Sequence, residues 1–274
     1  MLAVSIFEEC VTIAAIYFVY VRIVPMKKAL LLSALSFAFV APVMAADGHG
    51  GSANWGYTGA IGAHKWGELS AEYEACRKGV QQSPINISKY MQEAMPALAM
   101  TYQPTPLEVV NNGHSVQVNY GPGSGFQING KTYQLLHFHF HTPSEHYIDG
   151  APYPMELHLV HKAEDGTLGV VGVLMKVGAH NPVIEGIWQN VPKAGSTKRV
   201  DSVAINATEL LPSSKSYYAY DGSLTTPPCT EGVKWHVLKE PIELSAAQLT
   251  AFQSVFPVNA RPIQALGERI VKGD

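Results

Sequence analysis

HFHFH, residues 137–141, places three histidines on alternate positions of one short segment, with a phenylalanine in each gap. A period of two predicts a β-strand, in which alternate side chains face opposite ways. On this prediction His137, His139 and His141 share one face, and both phenylalanines point into a core. Three protonated rings on one face would repel each other, so something must hold them neutral. A metal ion bound to the rings would do so.

A second strand is predicted at MELHLVHK, residues 155–162, where the same alternation places Glu156 and His158 on one face. If this strand pairs with the first, His158 joins His139 and His141. Three neutral imidazoles from two neighbouring strands leave a fourth tetrahedral position open, which is typical of a catalytic rather than a structural zinc site. Glu156 is placed to accept the second N–H of a ligating ring.

A different metal chemistry also fits these residues. His139, His141 and Glu145 match the first half of a cupin motif, whose ligand set suits iron or manganese oxygenases. This interpretation makes Glu145 a ligand and requires a further histidine well downstream. His158 comes too soon for that role, and His180 lacks the usual Pro-Gly approach.

Four other histidines are predicted to be structural or surface residues, because a single core histidine is more often hydrogen-bonded than metal-bound. They are His64, His161, His180 and His236.

The composition is that of a globular protein, with 47% hydrophobic and 15% charged residues among 274 and a net charge of -3. The chain has no cluster of lysine and arginine, so we expect no nucleic-acid partner.

The first 45 residues are predicted to be a signal peptide rather than part of the fold. Met26 is followed by two lysines, residues 29–43 are apolar, and Val-Met-Ala at 43–45 matches a signal-peptidase site. We therefore expect Met26 to be the initiator, residues 46–274 to form one domain, and no membrane span to remain after cleavage. An uncleaved membrane anchor is the alternative.

Two cysteines remain once Cys10 is removed with the leader. In an oxidising compartment the even pair Cys76 and Cys229 predicts a disulfide, although two unrelated buried thiols remain the alternative. Closing a loop of about 150 residues would stabilise the fold by at most roughly 5 kcal/mol. Without a CxxC spacing, metal binding by this pair is not expected.

The pattern of short apolar runs predicts a mainly β protein with a few short helices. Near-continuous apolar residues at 170–177 indicate strands covered on both sides, hence a large central sheet. Helices are predicted at 181–190 and at 245–256, where Ser245 is a capping residue. Strands are predicted at 107–110, 115–119, 133–141, 155–162, 168–177 and 233–238.

Several separated segments together resemble the α-class carbonic anhydrases in their bacterial exported form. The resemblance runs from about residue 54 to Gln264 and implies a single domain on a large, mostly antiparallel twisted sheet. It also implies a periplasmic zinc enzyme that interconverts carbon dioxide and bicarbonate. The segments are QSPINI (82–87), NNGH (111–114), HFHFHTPSEH (137–146), ELHLVHK (156–162), SLTTPPCTEGVKW (223–235) and NARPIQ (259–264).

The resemblance implies a role for each central residue. His139, His141 and His158 correspond to the ligands of one Zn²⁺ per chain. Thr225 corresponds to the residue that accepts the hydrogen bond of zinc-bound hydroxide, and Glu145 to the acceptor of the threonine proton.

Other positions match residues that support the reaction. His114 corresponds to the proton shuttle, although NNGH is also ordinary turn chemistry. The backbone of Asn259 and the carboxylate of Glu156 correspond to acceptors for ligand rings. His137 stands where the family usually has a glutamine that hydrogen-bonds the first ligand, and a neutral histidine could replace it as acceptor.

The resemblance also implies a largely apolar pocket for carbon dioxide, and it leads us to expect sulfonamide and anion inhibitors and a possible homodimer. The pocket residues are Tyr57, Asn112, Gln117, Val160, Val170, Leu224, Thr226, Val233 and Trp235. Because Cys229 directly follows the LTTPP segment, a bond to Cys76 would tether the loop that presents Thr225.

Two alternatives without catalysis are a silent family member that acts as a binding module and a zinc store. The three histidines argue against the first, because a silent member would be expected to have lost a ligand. Storage proteins tend to use flexible His-rich tracts, which argues against the second.

Overall fold

The computed structural model describes residues 54–274. The predicted signal peptide, the start at Met26 and Cys10 lie outside this range. Within it, no helix combines the length and the apolar character needed to cross a membrane.

The described residues form a twelve-stranded sheet, a three-stranded sheet and four short α-helices. The helices are α1 Trp66–Leu69, α2 Ala75–Lys78, α3 Pro182–Trp188 and α4 Ala246–Val255. The strands are β1 Asn86–Ile87, β2 Met91–Gln92, β3 Ala99–Thr101, β4 Thr105–Asn111, β5 Val116–Asn119, β6 Gly125–Ile128, β7 Lys131–His141, β8 Tyr147–Ile148, β9 Ala151–Pro152, β10 Met155–Ala163, β11 Leu168–Val177, β12 Ser196–Ile205, β13 Tyr217–Ser223, β14 Glu231–Leu244 and β15 Lys272–Gly273.

The large sheet has the order β12-β4-β5-β7-β10-β11-β14-β13-β15-β2, with β6 paired to β7 and β3 to β6. Its pairs are antiparallel except β11 with β14 and β15 with β2, so the predicted mainly β class and mostly antiparallel sheet are confirmed. The six predicted strands are β4, β5, β7, β10, β11 and β14, which are consecutive neighbours in the middle of this sheet.

Strands β12 and β13, which lie on either side of those six strands, were not predicted from the sequence. β12 is an edge strand whose residues are mostly exposed, so its sequence has no apolar alternation to detect. β13 contains Asp221 and Gly222, two residues that usually indicate a turn.

Both predicted helices are confirmed. The Ser245 hydroxyl accepts the backbone N–H of Gln248, and the Gln248 side chain accepts the N–H of Ser245, so a capping box begins α4. The Asn181 side chain caps α3 in the same way, by accepting the N–H groups of Val183 and Ile184.

The two faces of the sheet have different chemistry. One face carries the main apolar core, which includes Phe138, Phe140, Leu157 and Leu159, and Phe140 packs against Trp188 of α3 and Phe252 of α4. The other face carries the three histidines of β7 and a smaller apolar cluster that includes Trp235. β11 is buried from Gly169 to Met175, so the prediction that it is covered on both sides is confirmed.

Two further histidines are buried beside the main core. The rings of His161 and His236 both contact Phe126, and each has a buried Nδ1 with no hydrogen-bond partner in the described part of the chain. Burial lowers the pKa of His236 to about 4 and that of His161 to about 3. Both were predicted to be structural residues, and their burial agrees with that.

The buried His236 ring should make the fold acid-sensitive in a defined pH range. An unfolded chain protonates a histidine near pH 6.5, whereas folded His236 stays neutral until about pH 4, so stability falls as the pH falls between these values. Between pH 6.5 and pH 4, the free energy of unfolding of His236→Phe should therefore fall by about 3 kcal/mol less than that of the wild type. Urea unfolding across a pH series measures this difference.

His180→Gln is the control, because His180 is exposed on the surface. It should leave the pH dependence of the unfolding free energy as in the wild type. Parallel pH curves for His236→Phe and wild type would contradict the prediction.

Candidate metal centre

The pairing of β7 with β10 brings the predicted ligands together. The strands are antiparallel, with His139 opposite His158 and His141 opposite Glu156. All four side chains lie on the same face, as the alternation predicts. The predicted convergence of His139, His141 and His158 is therefore present in the structure.

The three rings form a compact group that fits a metal ion. One nitrogen from each ring lies within 4.8 Å of the others. The ring centroids of His141 and His158 are 4.6 Å apart, and those of His139 and His141 are 4.9 Å apart. His141 Nε2 is buried and has no hydrogen-bond partner among the described residues. Because buried polar atoms are normally satisfied, and this one faces two other rings, the His141 nitrogen is available to bind a metal ion.

The other nitrogens of two rings are already engaged. His141 Nδ1 donates to the backbone carbonyl of Asn259 at 2.7 Å, and His158 Nε2 donates to Glu156 Oε1 at 2.9 Å. These hydrogen bonds select the tautomer of each ring and leave His141 Nε2 and His158 Nδ1 as the nitrogens with a free lone pair. Both acceptors are those that the sequence resemblance implied.

The rings are neutral without help from a metal. Burial lowers the pKa of His141 to about 4 and also lowers the pKa of His158. Burial, followed by the neighbouring histidines, holds the pKa of His139 well below its usual value. Crowding of imidazoles is therefore not by itself an argument for a metal here, and the geometry of the nitrogens carries that argument instead. Neutral imidazole is the form that binds zinc.

A second group of possible ligands is His146, Glu156 and His158. Here His146 Nδ1 and His158 Nε2 both donate to the same oxygen, Glu156 Oε1, at 2.7 and 2.9 Å. These atoms satisfy one another, so the group is a hydrogen-bonded support rather than a second metal site.

Glu156 is a fully buried carboxylate with four N–H partners. Besides the two rings, its Oε2 accepts the backbone N–H groups of Glu145 at 2.9 Å and His146 at 2.8 Å. Burial by itself raises the pKa of Glu156, but His146 and His158 outweigh it and hold the pKa well below its usual value. Glu156 therefore remains an anion that orients the His158 ring.

Glu145 lies beside the three histidines. Its Oε1 accepts the backbone N–H of Arg261 at 2.8 Å, and its Oε2 lies 3.6 Å from His141 Nε2 and 3.8 Å from His158 Nδ1. Burial raises the pKa of Glu145 to about 7, although His158, the Arg261 N–H and the Thr225 side chain each act to lower it. Thr225 is thus close enough to influence this carboxyl group.

The loop that carries Thr225 connects β13 to β14 and is held at several points. Within the loop, Leu224 N–H donates to Thr230 O and Cys229 N–H donates to Thr226 O, both at 2.9 Å. Cys229 is bonded to Cys76, 153 residues away in sequence, so the predicted disulfide is confirmed. The bond attaches the Thr225 loop to α2.

His114 lies in a turn before β5. The Asn112 side chain accepts the N–H groups of His114 and Ser115, so the turn chemistry of NNGH is present. The His114 ring stacks on Trp55 with centroids 3.7 Å apart and an interplanar angle of 7°. Burial lowers the pKa of His114.

The predicted pocket residues divide into two groups. Val160, Val170, Val233 and Trp235 are buried in the smaller apolar cluster, and Leu224 packs against it. The other four lie outside that cluster. Tyr57 packs edge-on against Trp66, and Gln117 of β5 is opposite His139 of β7. Asn112 is exposed, and Thr226 is half-buried in the loop.

His137 does not hydrogen-bond the first ligand. Its ring lies beside that of His139, with centroids 5.4 Å apart, yet His139 Nδ1 is buried without a partner among the residues that the structure describes. The expectation that His137 replaces the usual glutamine as acceptor is therefore not met by this arrangement of the rings.

A chain of hydrogen bonds beyond Glu156 was not predicted from the sequence. His146 Nε2 accepts the Tyr220 hydroxyl proton at 2.6 Å, and Tyr220 is also 2.9 Å from the Ser83 hydroxyl. This chain of hydrogen bonds links Glu156 to β13. Only the position of His146 directly after Glu145 could have drawn attention to it, since Ser83 and Tyr220 have no distinctive local pattern.

Comparison with known proteins agrees with this geometry. Residues 61–273 match the model of the eukaryotic-type carbonic anhydrase family. The chain is 45% identical to a carbonic anhydrase of Nostoc sp. over 80% of this chain and 85% of the relative. It is 41% identical to a carbonic anhydrase of Pectobacterium carotovorum over 86% and 98% of the two chains.

A solved structure agrees as well. The α-carbonic anhydrase of Thermovibrio ammonificans, in complex with the inhibitor sulfanilamide, has a TM-score of 0.78 and 43% identity over 81% of this chain and 100% of the other. The cupin alternative is wrong, because the family match covers both strands of the site. The chain belongs to the α-class carbonic anhydrase family of enzymes, whose reaction is the hydration of carbon dioxide.

Proposed function

We propose that this protein catalyses the zinc-dependent, reversible hydration of carbon dioxide to bicarbonate and a proton. His139, His141 and His158 hold one Zn²⁺, Thr225 and Glu145 orient the nucleophile, and His114 transfers the proton to buffer. The observation that carries the proposal is the convergence of three neutral ring nitrogens within 4.8 Å on one face of the β7–β10 pair.

The donor set suits zinc and leaves a position for solvent. Three neutral imidazoles keep the full charge of the ion, and bound zinc lowers the pKa of a coordinated water to about 7, the value known for carbonic anhydrase itself, which supplies a hydroxide nucleophile at neutral pH. Asn259 and Glu156 accept the remaining N–H groups of His141 and His158 and fix both rings.

Thr225 and Glu145 determine the direction of attack. Glu145 Oε1 is occupied by the Arg261 N–H, so Oε2 is the oxygen left for the Thr225 proton. A threonine that donates its proton to a carboxylate can only accept on its other side. The Thr225 hydroxyl oxygen would therefore accept a hydrogen bond from a nucleophile bound beside it and fix the orientation of that nucleophile towards carbon dioxide.

The substrate requires an apolar wall beside this polar group. Carbon dioxide has no net dipole, and the side chains of Val160, Val170, Val233 and Trp235 lie in the apolar cluster on the same side of the sheet. The complex of the Thermovibrio relative with sulfanilamide supports the expectation that sulfonamides also inhibit this chain.

Each hydration releases a proton that has to reach the solvent. His114 is half-buried, is stacked on Trp55 and belongs to the one side-chain type that titrates near neutral pH. It can therefore take a proton from the site and release it to buffer.

We further propose that residues 46–274 are the mature catalytic domain, released into the periplasm after cleavage of the leader. The Cys76–Cys229 disulfide supports export, because such bonds persist in oxidising compartments.

Metal analysis with a stopped-flow assay tests the proposed reaction. The purified protein should contain one zinc per chain and hydrate carbon dioxide, and sulfanilamide should inhibit it. Removal of zinc by a chelator should abolish the activity, and added zinc should restore it. His141→Ala should lose nearly all bound zinc and with it the activity, whereas His180→Ala, at an exposed position, should retain both.

Two results would contradict the proposal. Stoichiometric zinc without hydration would indicate a silent binding module. Hydration that persists after complete removal of metal would exclude the zinc mechanism.

Thr225→Ala tests the orienting role. Because the hydroxyl positions the nucleophile and does not hold the metal, kcat/KM for hydration should fall by about 100-fold while the zinc content stays at one per chain. Thr225→Ser, which keeps the hydroxyl, should recover most of the activity. Loss of zinc from Thr225→Ala would instead show that this side chain supports a ligand.

His114→Ala tests the proton transfer. In weak buffer kcat should fall by about 100-fold, at the lower end of general acid–base effects, while kcat/KM stays unchanged because proton release follows the hydration step. Imidazole added at high concentration should restore kcat. The role is excluded if kcat in weak buffer equals that of the wild type.

A further inference from the structure

Arg261 is a buried cation whose side chain has only neutral acceptors. It is 3% exposed, and its guanidinium donates to Gln82 Oε1 at 2.8 Å, to Ser83 O at 2.7 Å and to Cys76 O at 3.0 Å. No carboxylate forms a salt bridge with this guanidinium within residues 54–274. A buried charge is costly unless its hydrogen bonds are satisfied, so this arrangement indicates a specific role.

The same residue touches the site through its backbone. The Arg261 N–H donates to Glu145 Oε1 at 2.8 Å. Arg261 therefore contacts two parts of the molecule. Its backbone N–H binds Glu145, the carboxylate that we assign to the orientation of Thr225, and its guanidinium binds the backbone of Cys76.

Gln82 completes a circuit of hydrogen bonds that connects the two cysteines of the disulfide. Its Oε1 accepts from the Arg261 guanidinium, and its Nε2 donates to Cys229 O at 3.0 Å. The two half-cystines are thus linked covalently through sulfur and also non-covalently through Gln82 and Arg261. Displacement of either cysteine backbone would move the Arg261 guanidinium, and with it the N–H that holds Glu145.

This contact decides which way the Glu145 carboxylate faces. With Oε1 held by Arg261, Oε2 is turned towards His141 and His158, where no other described residue forms a hydrogen bond with it in normal geometry. Rotation of the carboxylate would remove the acceptor from the Thr225 proton, and the Thr225 hydroxyl would lose its single orientation.

We propose that Arg261 is a positioning residue: it fixes the orientation of the Glu145 carboxylate, and it transmits the constraint of the Cys76–Cys229 disulfide to the Thr225–Glu145 pair. The inference rests on the proposed function, since it assigns a support to a pair of residues placed in that mechanism. Arg261 acts through Glu145 and touches neither the metal ligands nor the substrate.

Arg261→Gln tests the proposal beside Arg269→Gln as a matched control. Arg269 also donates to three backbone carbonyls, those of Ala265, Leu266 and Asp221, but none of these belongs to the site. Arg261→Gln should lower kcat/KM for hydration by about tenfold with zinc retained, because the carboxylate is misplaced rather than removed. Arg269→Gln should leave kcat/KM unchanged.

A double-mutant cycle separates a positioning role from a purely structural one. If Arg261 acts through the Thr225–Glu145 pair, Arg261→Gln should have little further effect on kcat/KM in a Thr225→Ala background. Reduction of the disulfide with a phosphine should lower kcat/KM of the wild type, with little additional effect in Arg261→Gln. Arg261→Lys, which keeps the charge but not the planar fork, should lie between wild type and Arg261→Gln.

Three results would overturn the inference. They are an unchanged kcat/KM in Arg261→Gln, a loss of zinc in parallel with activity, and full additivity with Thr225→Ala. If Arg261→Gln does not fold, Gln82→Leu can replace it, because this change removes the hydrogen bonds of Gln82 to Arg261 and to Cys229 O. The same three results in Gln82→Leu would overturn the inference. If Thr225→Ala does not change kcat/KM of the zinc-loaded protein, the proposed role of the Thr225–Glu145 pair is wrong. If Thr225→Ala lowers kcat/KM but the Arg261 variants do not, only the role of Arg261 is wrong.

Discussion

The antiparallel pairing of β7 with β10 is the interaction on which the site depends. In its register, His139 faces His158 and His141 faces Glu156, so three ligand rings and a supporting carboxylate meet on one face. A slip of one residue would turn the polar side chains of the displaced strand towards the core and bring its apolar side chains to the opposite face. The alternation of polar and apolar side chains therefore preserves the candidate metal centre by stabilising this one register.

A single buried anion organises the surroundings of the ligands. Glu156 accepts two backbone N–H groups from the turn after β7 and one ring N–H each from His146 and His158. A buried carboxylate is tolerated when its hydrogen bonds are satisfied, and here each bond also has a geometric consequence. The same side chain fixes a ligand ring and the turn that presents Glu145, so both sides of the centre share one support.

The segments that complete the site arrive from distant parts of the chain. Asn259 and Arg261 follow α4, yet they contact His141 and Glu145, more than one hundred residues earlier. The Thr225 loop is bonded to Cys76 across 153 residues. The sheet positions the candidate ligands. The partners of His141 Nδ1 and of Glu145 Oε1 depend instead on how the segment after α4 folds back onto the sheet.

Local patterns in the sequence were sufficient for the middle of the sheet, for α3 and α4, and for the identity of the three candidate ligands. Period-two alternation depends only on neighbouring residues, and LTTPP with the spaced histidines is a specific signature. The edge strand β12 was missed because its residues are mostly exposed and so show no apolar alternation. His146 and Arg261 were missed as supports because their partners are set by contacts across long sequence separations.

His137 is a residue whose predicted hydrogen bond does not form. Its position in the sequence indicated an acceptor for the first ligand, but the orientation of two neighbouring rings is not encoded in their spacing, and His139 Nδ1 has no partner in the described structure. The sequence by itself determined which side chains share a face, because alternation is a local property of a strand. Only the tertiary structure decided which hydrogen bonds each of them forms, because the chain must close on itself before those partners meet.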